Sequence, residues 1–244
     1  MNLHLLQLGD SALPIGGYSH SWGLEAAVDR GVVRNAADLE SWVRSWLHQA
    51  LGPLEGIIVA VVCRAVQKKD WPRVRRANDL LQASLTPSTL RSASREMGQQ
   101  LLALAAAWPW AKSVLGETIS VARMVGLEDS AHPTRDHHSL ITTTVEWHHA
   151  VVFATLASAA DASSEEAVVV YLHQAALGMI SAGVRAIPIG HTHGQQILAR
   201  LHDDLNDLAR NLAEKDIDRA GSFCPAYEIL CHAQTQLYTR LFRS

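Results

Sequence analysis

The sequence predicts an all-α protein, a single domain over residues 1–244 built as a bundle of about ten helices with a short amphipathic C-terminal tail. Three observations point to this class. Apolar residues recur with helical spacing along most of the chain. Hydrophobic residues make up 48% of the 244 residues, enough for a sizeable core. The one strand-like stretch, Leu140–Val145, has no second strand to pair with.

In the first part of the chain, the turn Pro14–Gly17 is expected to lead into a helix that begins near Ser19–Ser21, with Gly16 and Gly17 allowing positive φ or close backbone approach. The apolar series from Leu39 to Leu51 predicts a helix with Asn35 as its N-cap. Gly52-Pro53 is expected to end that helix.

Four more helices are predicted before residue 126. They run from Leu54 to Lys69, from Trp71 to Ser84, onward from the cap Thr86-Pro87, and from Trp110 to Val125. Gly98 lies inside the third of these. Because glycine is unfavourable in a helix interior, it predicts a close backbone contact there.

After a loop or extended piece over Gly126–Thr144, helical patterns resume at Trp147–Ala160 and Ala167–Gly183. Ser163 and Glu166 form a capping box before the second of these. Thr192 and Gln195 have the same spacing and predict another helix start. Heptad-like spacing then predicts a narrow seam against a neighbouring helix, formed by Leu198, Leu201, Leu205, Leu208 and Leu212.

Composition and charge exclude several classes of protein. With 21 Lys and Arg against 24 Asp and Glu, the chain lacks the basic surplus of a nucleic-acid binder. Its longest apolar runs are shorter than the ~18 residues of a membrane span, and no positively charged signal region opens the sequence. Only three cysteines occur, without a C-x-x-C pair. We therefore expect a cytoplasmic protein that binds neither membrane nor nucleic acid.

The familiar catalytic loops are missing or incomplete. Gly17–Ser21 superficially resembles a nucleophile elbow but lacks its final glycine and its preceding strand, so a glycine-rich turn is favoured. Neither G-x-x-x-x-G-K-[ST] nor G-x-G-x-x-G occurs, so nucleotide binding by either loop is not expected.

One alternative function rests on a D-D-x-x-D run at residues 203–207. Asp203, Asp204 and Asp207 on one helix would hold Mg²⁺ and a diphosphate in an all-α enzyme. No second acidic cluster accompanies them, and the leucine seam turns them away from the core. A solvated acidic face is therefore favoured.

Histidine is abundant, with 13 residues, and His191 and His193 are the weak candidates for a metal site. Imidazole suits Ni²⁺ or Zn²⁺, but no fixed ligand spacing supports a catalytic zinc site. The pairs His137-His138 and His148-His149 each offer at most one ligand to a shared site. We expect no structural metal and no stably bound cofactor.

Four blocks resemble the UreF family of urease accessory proteins, and together they span nearly the whole chain. They are Leu5–Glu25, Arg95–Leu101, Val184–Gln195 and Tyr238–Ser244. The positions that match the family's motifs are Pro14, Gly16, Gly17, Ser19, His20, Gly23, Glu25, Met97, Gly98, Arg185, Pro188, Gly190 and Gln195.

This resemblance implies a non-enzymatic, dimerising accessory protein that acts as a chaperone. Its implied partners are a GTPase (UreG-like), a second scaffold (UreD/UreH-like) and apourease. Together they would insert nickel into urease, with nickel passing through the complex and GTP hydrolysis belonging to a partner. An alternative within the resemblance is a related maturation system other than that of urease.

The chain departs from the family pattern at several positions. His191 and His193 replace the family's Gln and Asp, and Ala150 and Ala154 replace its Pro and Gly. Gln234-Thr235 stands where a His-Glu pair is usual, which argues against proton transfer or metal binding by that pair.

The tail, residues 233–244, is predicted to dock into a partner. The alternative is a last helix that packs on its own domain, because chain termini are sometimes held in this way. The binding residues of the tail would be Tyr238, Arg240, Leu241, Phe242, Arg243 and Ser244. Leu237, Tyr238, Leu241 and Phe242 form an apolar stripe at helical spacing, too short to be a stable helix alone. Phe242 would then anchor in a partner pocket, and removing the tail would leave the domain folded.

Overall fold

The computed structural model describes residues 2–112, 114–116 and 146–244. In these ranges the chain is helical and has no β-strand, which confirms the predicted class. The α-helices are α1 (Leu3–Leu8), α2 (Leu24–Asp29), α3 (Ala36–Trp46), α4 (Ile57–Gln67), α5 (Trp71–Ser84), α6 (Ser88–Ala105), α7 (His149–Ala159), α8 (Ser164–Ala186), α9 (His191–Ala213) and α10 (Pro225–Gln234).

Gly52-Pro53 does not end the helix that contains it, contrary to expectation. Residues Leu47–Gly56 form a π-helical segment that joins α3 to α4 in one continuous rod. Proline removes an N–H and clashes in an α-helix, and the wider π turn accommodates it. Burial stabilises the second half of the rod, where Gly52 and Gly56 let Leu208 and Leu212 of α9 pack directly on its backbone.

Two of the predicted helix starts are confirmed by a side chain that accepts hydrogen bonds from the first turn. The Asn35 side chain accepts from the N–H groups of Ala37 and Asp38 at 2.9 and 3.0 Å. Ser163 and Glu166 form the expected capping box at α8. The predicted box at α9 is wrong: Gly190 is the N-cap and makes no side-chain bond, which places Thr192 inside the first turn.

The core is built around α7, whose side chains are buried on all faces by α4, α6 and α8. Helices α8 and α9 pack against each other along the leucine seam, where Leu208 is only partly buried and the other four leucines are buried. The expected backbone contact at Gly98 is confirmed. A Cβ added there would collide with the Trp147 carbonyl.

The N-terminal loop, which carries the first family block, is longer than expected. A 3₁₀ turn at Gly17–Ser19 precedes α2, so the helix begins at Leu24 and not near Ser19–Ser21. Gly16 has the expected positive φ of 83°, and the Ser19 hydroxyl donates to its carbonyl at 2.7 Å. Gly17 instead allows close approach, since a Cβ there would lie 3.3 Å from Met97 Cε.

Two apolar helices are long enough to cross a membrane by length and composition, Ala36–Gln67 and Ser164–Ala186. Most of the first and half of the second is buried inside the bundle, as in the core helices of globular domains. The predicted continuation of a helix to Val125, the loop at Gly126–Thr144 and His137-His138 lie outside the described residues.

Candidate interaction site at the C-terminal segment

The C-terminal segment, residues 235–244, folds back onto the N-terminal loop and is not helical. Its backbone groups bond to other parts of the chain instead of to one another. The Arg243 N–H donates to the Ser19 carbonyl at 2.8 Å. Phe242 and Ser244 are only 4% and 5% exposed. The expectation of an amphipathic helix with Phe242 free to anchor in a partner is therefore wrong.

Ser244 is held by the loop that leads into α2. The N–H groups of Ser21 and Trp22 donate to its main-chain oxygen at 2.5 and 3.2 Å, and the Ser21 hydroxyl oxygen lies 3.1 Å from the same atom. His20 Nδ1 lies 2.7 Å from the Ser244 hydroxyl. Positive φ at Trp22 and Gly23, 54° and 80°, turns these groups toward Ser244.

Glu25, in the first turn of α2, binds the segment two and three residues before Ser244. Its carboxylate accepts from the N–H groups of Leu241 and Phe242 at 2.5 and 3.2 Å. It also accepts from the Gln234 side-chain amide at 3.1 Å, while the Gln234 carbonyl accepts from the Ser21 hydroxyl at 2.9 Å. This one buried carboxylate therefore satisfies three donors that would otherwise be unpaired.

Two arginines, Arg185 and Arg243, make contacts at the segment. The Arg185 guanidinium from α8 lies 4.6 Å from the centre of the Phe242 ring and 5.9 Å from that of Tyr18. Arg243 pairs with Glu96 of α6 at 3.3 Å. Burial and the charge of Arg243 both lower the pKa of His20, so its imidazole is neutral at pH 7. The C-terminal segment thus touches residues from each of the other three sequence blocks.

The outer surface of the segment is open to solvent. Tyr238 is fully exposed and Leu241 is 72% exposed, and Arg240 and Arg243 are also exposed. We call these four residues the exposed tail face. Two large apolar side chains held outward by a fixed backbone, with arginines at their edge, have the composition of a protein-binding surface.

Comparisons with known proteins identify the family of this chain. A UreF family model matches residues 33–202. The chain is 31% identical to the urease accessory protein UreF of Cupriavidus taiwanensis over 99% of its length and 97% of that relative. It is 29% identical to that of Dechloromonas aromatica, over 98% and 96%. This chain belongs to the UreF family.

Among the UreF positions where this chain departs from the expected pattern, Gln234 has a clear structural role. It is 1% exposed and joins Ser21 to Glu25 through its amide. A neutral amide serves here because one side must accept a hydroxyl proton and the other must donate to a carboxylate. The sequence alone did not reveal this bridge, since its partners lie 213 and 209 residues away.

Three of the motif positions lie around the start of α9. Pro188, Gly190 and Gln195 are exposed around the start of α9, where His191 and His193 are exposed as well. In the described part of the chain, no three His, Cys, Asp or Glu residues are grouped to hold a metal ion.

The acidic run on α9 has the surroundings of a surface ion-pair network. Asp204 pairs with Arg44 at 2.6 Å and with His48 at 2.7 Å. Asp207 pairs with Arg210 at 2.8 Å, and Asp203 is exposed. Asp204 and Asp207 pair with basic side chains of the same protein, and none of the three carboxylates lines the cavity found in the described residues, so the structure gives no support to a diphosphate-binding role.

Proposed function

We propose that this UreF-family chain is a urease accessory protein, a non-enzymatic scaffold for the insertion of nickel into apourease. It would act in the cytoplasm, as a homodimer, between a UreG-like GTPase and a UreD/UreH-like scaffold. Nickel would pass through the assembled complex without a resident site on this chain. The family membership supports the role in urease maturation, and the surface described above supports the binding function.

The observation that carries the proposal is the exposed tail face. Glu25 and the Ser21–Trp22 backbone fix residues 241–244, so Leu241 is presented without prior folding, and Tyr238 is exposed three residues before it. A preorganised surface loses little conformational entropy on binding. We assign the second scaffold to this face, because its exposed aromatic and aliphatic side chains with flanking arginines suit a stable partner.

GTP hydrolysis would belong to the GTPase partner, because this sequence has neither familiar phosphate-binding loop. The chain would contribute by holding the GTPase and the second scaffold in one assembly. It would increase the rate of nickel transfer by proximity alone.

Reconstitution tests the proposal. The full chain is mixed with the GTPase, the second scaffold, apourease, nickel and GTP, and urease activity is measured beside a mixture lacking only this chain. We expect the complete mixture alone to gain urease activity and the three accessory proteins to co-elute. Well-folded protein that forms no complex with either partner, or equal activation without it, would contradict the proposal.

A further inference from the structure

A cavity of about 250 Å³ lies beneath the N-terminal loop, between the π-helical segment, α6, α7 and α8. An engineered cavity of about 150 Å³ is enough to hold benzene, so this space takes a ring with a short side chain. Asp10, Ser11 and Tyr18 are lining residues exposed to solvent and mark its mouth. The walls are largely apolar and aromatic, with Trp46, Leu51, Leu54, Met97 and Tyr227.

Glu55 is the partly buried acidic group of this cavity. It lies on the apolar face of the π-helical segment, and the Tyr171 hydroxyl donates a hydrogen bond to its carboxylate. The described lining contains no lysine or arginine, and Asp10 at the mouth adds a second carboxylate. Burial raises the pKa of Glu55 to about 7, although the Tyr171 hydrogen bond acts in the opposite direction.

His149 also lines this cavity, and one of its ring nitrogens has no hydrogen-bond partner in the described part of the protein. It is 7% exposed, its Nε2 has no hydrogen-bond partner, and its ring centre lies 5.5 Å from that of Tyr171. Burial lowers the pKa of His149 to about 4, so the imidazole is neutral at pH 7. A buried polar atom without a partner is uncommon in folded proteins and is explained when a ligand supplies the partner.

We propose that this cavity binds a small organic amine, with its ammonium group between Glu55 and His149 and its apolar body against the aromatic walls. A carboxylate without a cationic partner attracts a positive charge, and a neutral imidazole nitrogen can accept a second ammonium proton. Trp46 and Tyr227 also line the cavity, and aromatic rings attract a cation that lies over them. Anions are disfavoured by the two carboxylates.

A bare divalent metal ion fits this space less well than an amine. Such an ion needs several oxygen or nitrogen ligands, and the described residues provide no group of three His, Cys, Asp or Glu. The apolar walls would not replace the water lost from the ion, whereas they would bury a hydrocarbon body.

Titration calorimetry of the full chain tests the proposal with phenethylamine, and with 2-phenylethanol as its uncharged counterpart. Because a hydrogen bond to a charged group is stronger than a neutral one, we expect the amine to bind about tenfold tighter or more. Besides Glu55, the ionisable residues that line the inner part of the cavity are His149, Tyr171 and Tyr227, and Asp10 and Tyr18 lie at its mouth. Amine affinity is therefore expected to rise about tenfold from pH 6 to pH 8 as Glu55 ionises.

Two variants locate the binding. Glu55→Gln removes the charge with little change in shape and is expected to abolish the preference for the amine. Gly178 lines the cavity, and a Cβ there would meet open space, so Gly178→Leu is expected to place its side chain in the cavity. It is expected to abolish binding of both compounds while the chain stays folded. Asp203→Asn, an exposed carboxylate change on α9, is the matched control and should bind like the parent chain.

Several results would overturn the proposal. These are no amine binding to the parent chain, equal affinities for amine and alcohol, or amine binding that survives Gly178→Leu. Displacement of the amine by stoichiometric nickel chloride would assign the cavity to a metal ion instead. If Glu55→Gln fails to fold, Gly178→Leu and the comparison of amine with alcohol still decide the question.

Discussion

Replacing Glu25 with glutamine is the sharpest test of how the C-terminal segment is held. The change puts an amide N–H₂ where an oxygen now accepts from Leu241, Phe242 or Gln234. At least one charge-assisted hydrogen bond is lost and two donors are brought face to face. Hydrogen bonds to charged groups contribute about 1.5–3 kcal/mol each, so we expect a loss of about 3 kcal/mol. For a chain of this length, that lowers Tm by about 6–12 °C.

Two assays read out the Glu25→Gln variant. Thermal unfolding gives Tm, and timed carboxypeptidase digestion followed by mass spectrometry gives the protection of residues 235–244. We expect a lower Tm together with faster trimming. The matched control is Glu96→Gln, which removes only the half-exposed pair with Arg243 and should change stability by less than about 1 kcal/mol. Equal Tm and equal trimming in parent chain and Glu25→Gln would refute the reasoning.

Three further predictions concern buried positions. Phe242→Ala is expected to lower stability by about 3–5 kcal/mol in urea unfolding, whereas Tyr238→Ala, on the exposed tail face, should stay within about 0.5 kcal/mol. Gly98→Ala should lower soluble yield and Tm, because its methyl group meets the Trp147 backbone, and an unchanged Tm would contradict this contact. Glu55 keeps its proton in the folded state up to about pH 7, while the unfolded chain loses it near pH 4.5. The parent chain should therefore lose about 3 kcal/mol relative to Glu55→Gln as pH rises through this window, as measured by denaturant unfolding at each pH, and parallel profiles would refute it.

Some features that depend on neighbouring residues were predictable from the sequence, although the capping box expected at Thr192 was not formed. The capping box at Ser163 and Glu166 and the leucine seam of α9 follow from spacing alone, and the structure has both. The tight approach at Gly98 followed from an unfavourable glycine inside a helix. The rod through Gly52-Pro53 did not follow, because burial of the residues on both sides of the proline outweighs its local preference to end a helix.

The candidate site depends on contacts between distant residues, which spacing does not reveal. The stripe at Tyr238, Leu241 and Phe242 indicates a short helix, but Glu25, more than 200 residues away, accepts the N–H groups of the last two. That pairing turns Phe242 inward and leaves Tyr238 and Leu241 outward. Glu55 did leave a signal, because it occupies the apolar face of its helix beside Leu51 and Leu54.

The most direct test of the account is partner binding by variants of the exposed tail face. The test variant carries both Tyr238→Ala and Leu241→Ala. The control variant carries both Phe223→Ala and Leu6→Ala, which remove an exposed aromatic and an exposed leucine elsewhere on the surface. Affinity for the UreD/UreH-like scaffold is measured by calorimetry, with Tm as the folding control. We expect the variant of Tyr238 and Leu241 to bind at least about tenfold more weakly at an unchanged Tm, and the control variant to bind like the parent chain. Parent-level binding by the Tyr238 and Leu241 variant would contradict it.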